Sequence, residues 1–372
     1  MADDKAFKNL INAEKIAVLA ERLAGAIPGF ERAAFEARAN EGLDGMELKA
    51  RVAHVADALH PHLDPDVPTA MGQLLASMGP PLVGAEGVTG SIMDWPVLHW
   101  VQVHGVDHPQ HALPTLREMT RRFSAEFAVR PLLDHDLQGT LDVLVGWLDH
   151  PDLHVRRWLS EGTRPRLPWG GNIKALQLDP RPALPILEAL HQDPQEYVRR
   201  SVANHLNDIS KDHPDLAVQI AGRWWNPANK QTTKLVKHAL RGLIKDGHPG
   251  ALAILGYGPP TGLELALRLE PATVAIGSKL AIHVALTNTG DRELSLLLDY
   301  AVHYRRKSPG LSRKVFKWTE RRLAPGQTLD LTKNQTLQHV SIRRLFPGEH
   351  RVEILANGQS MGMASFGLVD ED

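Results

Sequence analysis

The sequence predicts a mostly α-helical solenoid followed by an all-β sandwich, and three observations favour this fold class. Apolar residues recur at helical spacing up to about residue 258, and one helical motif repeats within that part. After residue 258 a strict two-residue alternation replaces the helical spacing. The chain has 372 residues, more than one hydrophobic core usually supports, so we expect two domains, 1–258 and 259–372.

The first 258 residues are expected to form helices. One helix face is visible in the spacing of Ile16, Leu19, Leu23 and Ile27. Clusters of Pro and Gly separate such segments, and residues 66–96 contain many turn-forming strings. These turn-forming strings predict a loose connection at 66–96 rather than a helix.

A repeated motif indicates how these helices are arranged. Residues 150–157 (HPDLHVRR) are echoed by residues 193–200 (DPQEYVRR) at an offset of 43, and a weaker copy begins at Leu235. These periods are typical of HEAT repeats, whose helix pairs stack so that one set of helices lines a concave surface. We therefore predict a HEAT-like α-solenoid. The two adjacent basic residues of each copy could form a stripe that follows a nucleic-acid backbone, or could bridge neighbouring repeats.

The remainder of the chain is expected to form strands. Leucines alternate from Leu263 to Leu269, and apolar residues alternate again from Leu280 to Leu286. Turn strings divide the rest into about seven or eight short strands, which predicts an immunoglobulin-like sandwich. The chain contains no cysteine, so this sandwich has no disulfide. The basic run from Tyr304 to Lys314 is expected to be a loop between two strands.

Composition excludes several classes of protein. No apolar run is long enough to span a membrane, and the acidic N-terminal residues lack a secretory signal, so we expect a cytoplasmic protein without a membrane partner. Charge is unevenly distributed, with 9 basic and 16 acidic residues in 1–120 but 11 basic and 3 acidic residues in 301–350. The basic excess suits a phosphate backbone, although a solvated sheet face would look the same. Histidines lack ligand spacing, so no metal site is predicted.

Two strings carry a resemblance to a known family. Residues 155–169 (VRRWLSEGTRPRLPW) and 197–211 (YVRRSVANHLNDISK), together with 123–131 (FSAEFAVRP), resemble the bacterial 3-methyladenine DNA glycosylases of the AlkC branch of the AlkC/AlkD HEAT-like-repeat DNA alkylation repair family. The resemblance implies excision of small cationic alkylated bases, 3-methyladenine and 3-methylcytosine, from duplex DNA by a monomer without metal or cofactor.

The same resemblance implies which residues perform the reaction. Glu126, Glu161 and Asp208 would stabilise the sugar oxocarbenium ion and orient water, because a cationic base is already a good leaving group. Trp169 would meet the DNA at the lesion. Each has a structural alternative: Glu126 as a surface acid or a partner of Arg130, Glu161 as a helix-terminal acid, Asp208 as a cap and Trp169 as packing between repeats. Three other tryptophans, Trp158, Trp224 and Trp225, are assigned to the core.

Basic residues in the matching strings and downstream are predicted to contact the DNA backbone. In the helical part these are Arg157, Arg164, Arg166, Arg200, Lys211, Lys234, Lys237 and Arg241. In the sandwich the predicted contacts are Arg305, Arg306, Lys307, Arg313 and Lys314. The competing interpretation is a non-catalytic HEAT-repeat scaffold that binds nucleic acid or protein. A metal-dependent nuclease is disfavoured because no carboxylate and histidine set is spaced for one.

Overall fold

The computed structural model describes residues 7–85, 90–340 and 344–370. Two compact units are present within these ranges. The first unit extends to Ala217 and includes Arg223–Ala239, and the second comprises Val218–Gly222 and the chain from Leu240 onward. None of the described helices combines the length and apolar character needed to cross a lipid bilayer.

Helices occupy the chain up to Ile254, as the apolar spacing predicts. Their bounds are α1 Ala13–Ala26, α2 Arg32–Asn40, α3 Leu48–Leu59, α4 Val67–Ser77, α5 Asp94–His104, α6 Pro109–Met119, α7 Arg130–His135, α8 Leu137–Val145, α9 Leu153–Gly162, α10 Lys174–Leu178, α11 Leu184–Leu190, α12 Glu196–Ile209, α13 Pro214–Trp224, α14 Lys230–Ala239, α15 Arg241–Lys245 and α16 Pro249–Ile254. Short 3₁₀ turns lie at Phe7–Leu10, Leu43–Gly45, His60–His62 and Arg181–Ala183.

Local signals explain where several helices begin. In α1 the side chain of Asn12 accepts a hydrogen bond from the N–H of Lys15, and the apolar face predicted from the sequence is buried. The expected connection at 66–96 is wrong for Val67–Ser77, which forms α4. Asp66 caps this helix through the N–H of Thr69, and Pro68 occupies its first turn, where proline favours a helix. Residues 86–89 of that segment lie outside the described residues.

The repeated motif corresponds to stacked helices. Its three copies fall on α9, α12 and α14, and α12 packs against both of the others. Asp152 starts α9 by accepting the N–H of His154 at 2.8 Å. Stacking therefore places equivalent positions of successive repeats side by side.

The second unit contains a sandwich of two sheets. A two-stranded hairpin in the first unit supplies β1 Arg166–Leu167 and β2 Gly171–Asn172, and the sandwich strands are β3 Leu263–Glu270, β4 Thr273–Ala275, β5 Lys279–Asn288, β6 Leu294–Arg305, β7 Leu311–Leu323, β8 Thr328–Thr336, β9 Gly348–Ala356 and β10 Gln359–Val369. One sheet has the order β3-β5-β8 and the other β4-β10-β9-β6-β7. The sequence thus predicted this sandwich correctly.

The alternating apolar residues of the predicted strands form the core of the sandwich. Leu280, Ile282, Val284 and Leu286 on β5 are all buried, and Leu265 pairs with Leu286 across the sheet. Strand β7 lies at the edge of the five-stranded sheet and carries Arg313, Lys314, Lys317, Arg321 and Arg322. The expected basic loop is therefore shorter than predicted, because Arg313 and Lys314 belong to this strand and only residues 306–310 form the turn.

Candidate active site

Three elements of the first unit position the three carboxylates. Glu126 lies in the turn between α6 and α7, Glu161 in the last turn of α9 and Asp208 in the last turn of α12. Helices α9 and α12 are neighbours in the stack, so their ends lie side by side. This is the arrangement that the repeat period implies.

Basic side chains link the carboxylates into one alternating network. Arg157 donates a hydrogen bond to Glu126 Oε2, and its Nη2 lies 3.6 Å from Glu161 Oε1. Arg164 Nη1 donates to Glu161 Oε1 at 2.6 Å, and its Nε donates to Asp208 Oδ2 at 2.7 Å. The network therefore runs from Glu126 through two arginines to Asp208.

The ends of the network carry further polar partners. Lys211 Nζ donates to Asp208 Oδ1 at 3.0 Å, and the hydroxyl of Ser124 donates to Glu126 Oε2 at 2.8 Å. In the middle, the hydroxyl of Ser201 donates to Glu161 Oε2 at 2.7 Å. Asp208 has partners on both oxygens, and its side chain is only 2% exposed, against 16% for Glu126.

Electrostatics favour the ionised form of the central carboxylate. Burial alone would raise the pKa of Glu161, but the charges of Arg157 and Arg164 and the Ser201 hydroxyl outweigh burial and hold this pKa below its usual value. The pKa of Arg164 is raised for the converse reason, since its two carboxylate partners outweigh the penalty of burial. Glu161 and Arg164 are consequently both charged at neutral pH.

A cavity of about 520 Å³ adjoins the network. Its lining includes Glu126, Arg157 and Arg200 together with the rings of Phe123 and Tyr197. The guanidinium of Arg157 lies over the Tyr197 ring, 5.3 Å from the centroid. Glu126 is therefore the carboxylate of this network that borders open space.

Trp169 occupies the tip of the β1–β2 hairpin. Its side chain is 59% exposed, and its backbone has a positive φ of 65°, a conformation that residues with a side chain rarely adopt. Phe7 contacts the indole edge-on, with 6.2 Å between ring centroids. Packing between repeats, the structural alternative for Trp169, is not observed, whereas Trp158 and Trp224 are buried as expected and Trp225 is half-buried.

His205 lies behind the carboxylates. Its ring is completely buried, and its Nδ1 is 3.0 Å from the carbonyl oxygen of Ser160. Burial lowers the pKa of His205 to about 4, with only partial compensation from Asp208. The imidazole is neutral at physiological pH.

Two of the predicted backbone contacts are placed differently by the structure. Arg164 is buried and Arg157 half-buried within the carboxylate network, because each guanidinium spans two acids that stacking brings together. They therefore hold the acids rather than present a free cation to solvent. Arg130, the expected partner of Glu126, instead donates to backbone carbonyls.

The other basic candidates of the helical part lie nearer to solvent. Arg166 pairs with Asp212, Lys211 with Asp208 and Lys234 with Glu196, whereas Arg200, Lys237 and Arg241 are exposed. Bridging between repeats also occurs, since Arg156 Nε donates to Asp193 Oδ2 at 2.6 Å and Arg121 Nε to Asp152 Oδ2 at 2.9 Å. In the first V-R-R pair Arg156 thus bridges two repeats, and in the second Arg199 donates to the carbonyl of Asp193. The other arginine of each pair, Arg157 or Arg200, lines the cavity.

The basic candidates of the sandwich also divide into exposed side chains and side chains with a partner. Arg305, Arg306 and Lys307 are exposed at the turn between β6 and β7. Arg313 Nε donates to Glu353 Oε2 at 2.9 Å, and Lys314 Nζ lies 5.2 Å from the centroid of the Phe316 ring. The turn therefore presents exposed cations, as Arg200 and Lys237 do in the helical part.

Two polar side chains that bind the carboxylates were not singled out from the sequence. Ser124 donates to Glu126 and Ser201 donates to Glu161. Ser124 lies in the string FSAEFAVRP, which carried the resemblance, and Arg130 of the same string was considered only as a partner of Glu126. Within the described residues, no group of three or more His, Asp or Glu side chains has the geometry of a metal site.

Comparison with known proteins assigns the chain to a family. A sequence family described as "Uncharacterised protein YhaZ, C-terminal Ig-like domain" matches residues 264–370. The chain is 34% identical to "Uncharacterized protein YhaZ" of Bacillus subtilis (strain 168) over 361 residues, covering 96% of this chain and 97% of that protein. Its fold matches the solved structure "Pseudomonas fluorescens alkylpurine DNA glycosylase AlkC bound to DNA containing an abasic site analog" with a TM-score of 0.86 and 34% identity, covering 98% and 99% of the two chains.

The chain belongs to the AlkC family. Coverage of this kind means that the AlkC match includes both the helical repeats and the sandwich, so the family assignment applies to the whole chain. The carboxylate network and the exposed Trp169 are thus features of an AlkC-family protein, and their chemistry can be considered on that basis.

Proposed function

We propose that this chain is a DNA glycosylase that hydrolyses the N-glycosidic bond of small cationic alkylated bases in duplex DNA, 3-methyladenine and 3-methylcytosine among them. The observation that carries the proposal is the network of three carboxylates paired with two arginines beside a cavity, in a chain that matches an alkylpurine DNA glycosylase over nearly its full length. No metal or cofactor takes part in the proposed reaction.

The chemistry of the lesion explains why carboxylates suffice. A base that carries a formal positive charge leaves without being protonated, and the difficult step is to stabilise the positive sugar that remains. A carboxylate about 4 Å from that sugar interacts with it by roughly 4 kcal/mol at an effective dielectric constant near 20. Glu126 and Glu161 supply this charge, and a carboxylate of the same network orients the attacking water.

Asp208 is assigned a different part in the reaction. Both of its oxygens have partners, and its side chain is almost completely buried. It fixes Arg164 and Lys211 and thereby sets the geometry of Glu161. Entry of DNA would give Lys211 a phosphate partner and release one oxygen of Asp208 for water or sugar.

DNA binding is assigned to the exposed aromatic and basic side chains. Trp169 meets the duplex at the lesion, where a flat ring can stack or separate sugar and base. Phosphates are contacted by Arg166, Arg200, Lys211, Lys234, Lys237 and Arg241 in the helical part and by Arg305, Arg306, Lys307, Arg313 and Lys314 in the sandwich. We further propose that the protein acts as a monomer in the cytoplasm.

Release of free base from methylated duplex DNA tests the proposed function. We expect the wild type to release 3-methyladenine and 3-methylcytosine, and Glu126→Gln and Asp208→Asn to be strongly impaired while they still bind DNA. The control is Glu36→Gln, which removes a carboxylate from an exposed pair with Arg32. Tight binding by the wild type without any release would instead support a non-catalytic scaffold.

A further inference from the structure

The tip of the β1–β2 hairpin directs three consecutive carbonyl groups at two cations. The carbonyl of Trp169 accepts a hydrogen bond from Lys49 Nζ, that of Gly170 from Arg130 Nε at 2.9 Å, and that of Gly171 from Arg130 Nη2 at 2.9 Å. Lys49 belongs to α3 and Arg130 to α7. Two separate helices therefore hold the backbone immediately around the exposed indole.

Arg130 also binds the end of the helix that carries Glu161. Its Nη1 donates to the carbonyls of Gly162 at 3.0 Å and Arg164 at 2.9 Å. The guanidinium is only 4% exposed, and burial lowers the pKa of Arg130 to about 10, which still leaves it charged at neutral pH. A single buried cation thus connects the carboxylate network to the hairpin through four carbonyl oxygens.

The backbone at the tip of the hairpin has an unfavourable conformation that must be stabilised by its surroundings. Trp169 has a φ of 65° and Gly171 a φ of 78°. A non-glycine residue occupies this region only where its surroundings determine the conformation. A side chain at Gly170 would approach within 2.7 Å of Leu167, so the tip also packs closely on its own strand.

We infer that Arg130 and Lys49 are positioning residues that fix the indole of Trp169 relative to Glu161. The inference rests on the proposed function in so far as Trp169 meets DNA. Neither cation touches the reacting atoms: Lys49 acts only on the hairpin, whereas Arg130 acts on both the hairpin and the carboxylate network. Loss of Lys49 should therefore affect the reaction only through Trp169.

A double-mutant cycle with hydrogen exchange tests this inference. Lys49→Met should accelerate amide exchange across residues 166–172 and slow single-turnover base release, each by about tenfold. In a Trp169→Ala background the same substitution should change base release by less than about twofold. The indole through which Lys49 acts is then already absent, so the effects of the two substitutions do not add. Lys49→Arg should restore the wild-type rate, and Lys174→Met, which removes an exposed lysine just after the hairpin, should change neither quantity.

Arg130 is tested separately because it is buried. Arg130→Lys keeps the charge but reaches fewer carbonyls, so it should accelerate exchange at 166–172 more than Lys49→Met does and retain part of its effect in the Trp169→Ala background. Unchanged exchange in Lys49→Met, or an undiminished loss of base release without Trp169, would overturn the inference. If the wild type released no base, the proposed function would fail, and hydrogen exchange of the same variants would still decide whether these cations hold the hairpin.

Discussion

Neutralising Glu161 is the most direct test of the electrostatic argument. Glu161→Gln removes the charge but keeps the shape and the ability to bond the hydroxyl of Ser201. The carboxylate stands between two guanidiniums, with Arg164 Nη1 at 2.6 Å and Arg157 Nη2 at 3.6 Å from its Oε1. Both cations remain in the variant, so the site becomes more positive by one charge.

The size of the effect follows from the proposed position of the sugar. With the sugar about 4 Å from Glu161, the carboxylate contributes roughly 4 kcal/mol at an effective dielectric constant near 20. Because the repulsion from the two arginines is unchanged, none of the loss is offset. At about 1.4 kcal/mol for each factor of ten, we expect the rate to fall several hundred-fold after allowance for residual hydration.

Single-turnover release of 3-methyladenine measures this change without interference from product release. Affinity for an abasic duplex and the thermal melting curve report binding and folding in parallel. We expect affinity for the abasic duplex to remain close to wild type, whereas the melting temperature should fall, because Arg157 and Arg164 lose a buried carboxylate partner. A Glu161→Gln protein that is folded at the assay temperature and keeps a rate within about threefold of wild type would refute the electrostatic account.

Three further predictions concern other parts of the molecule. Trp169→Ala should leave the melting temperature unchanged, because the side chain is 59% exposed, but should weaken binding to an abasic duplex by about 1–3 kcal/mol in fluorescence anisotropy; an unstable variant would argue for a packing role instead. Replacing Arg306 and Lys307 together with alanine should reduce the slope of log affinity against log salt by about two, and an unchanged slope would remove the turn from the DNA interface. Burial lowers the pKa of His205 from 6.5 to about 4, so the unfolded chain binds this proton first and stability is lost as pH falls from 6.5 toward 4, by at most about 3 kcal/mol. Urea unfolding at pH 7 and pH 5 should show this loss in the wild type and a smaller one in His205→Gln, whereas equal losses would contradict it.

The fold could be predicted because the spacing of apolar residues shows which face of a helix or strand is buried. The alternation of Leu280 to Leu286 and the 43-residue offset between VRR motifs correspond to β5 and to the stacked helices α9 and α12. Prediction failed where one sequence pattern is compatible with two different local structures. The turn-forming strings of residues 66–96 predict a connection, although Pro68 lies in the first turn of a helix. The cations of β7 predict a loop, although edge strands tolerate charge.

The candidate site was only partly predictable, because its key contacts are distant in sequence. Arg164 and Asp208 are 44 residues apart, about one repeat, so their proximity follows from the period. The repeat period does not show which carboxylate or carbonyl group each arginine binds. Arg157 and Arg164 looked like surface cations until stacking placed carboxylates on both sides, and Arg130 binds carbonyl groups, which every residue possesses.

The position of β7 has a consequence for association between molecules. Among the described residues no strand pairs with the outer edge of β7, and such an edge can offer backbone groups to a strand from another copy, the usual route to fibrous aggregates. Five Lys or Arg side chains against one Glu give β7 a net positive charge, even though Lys317 pairs with Glu320 and Arg322 with Glu293, so two such edges repel one another. Substituting these cations to study nucleic-acid affinity would thus also remove a safeguard against self-assembly, and light scattering should accompany every such measurement.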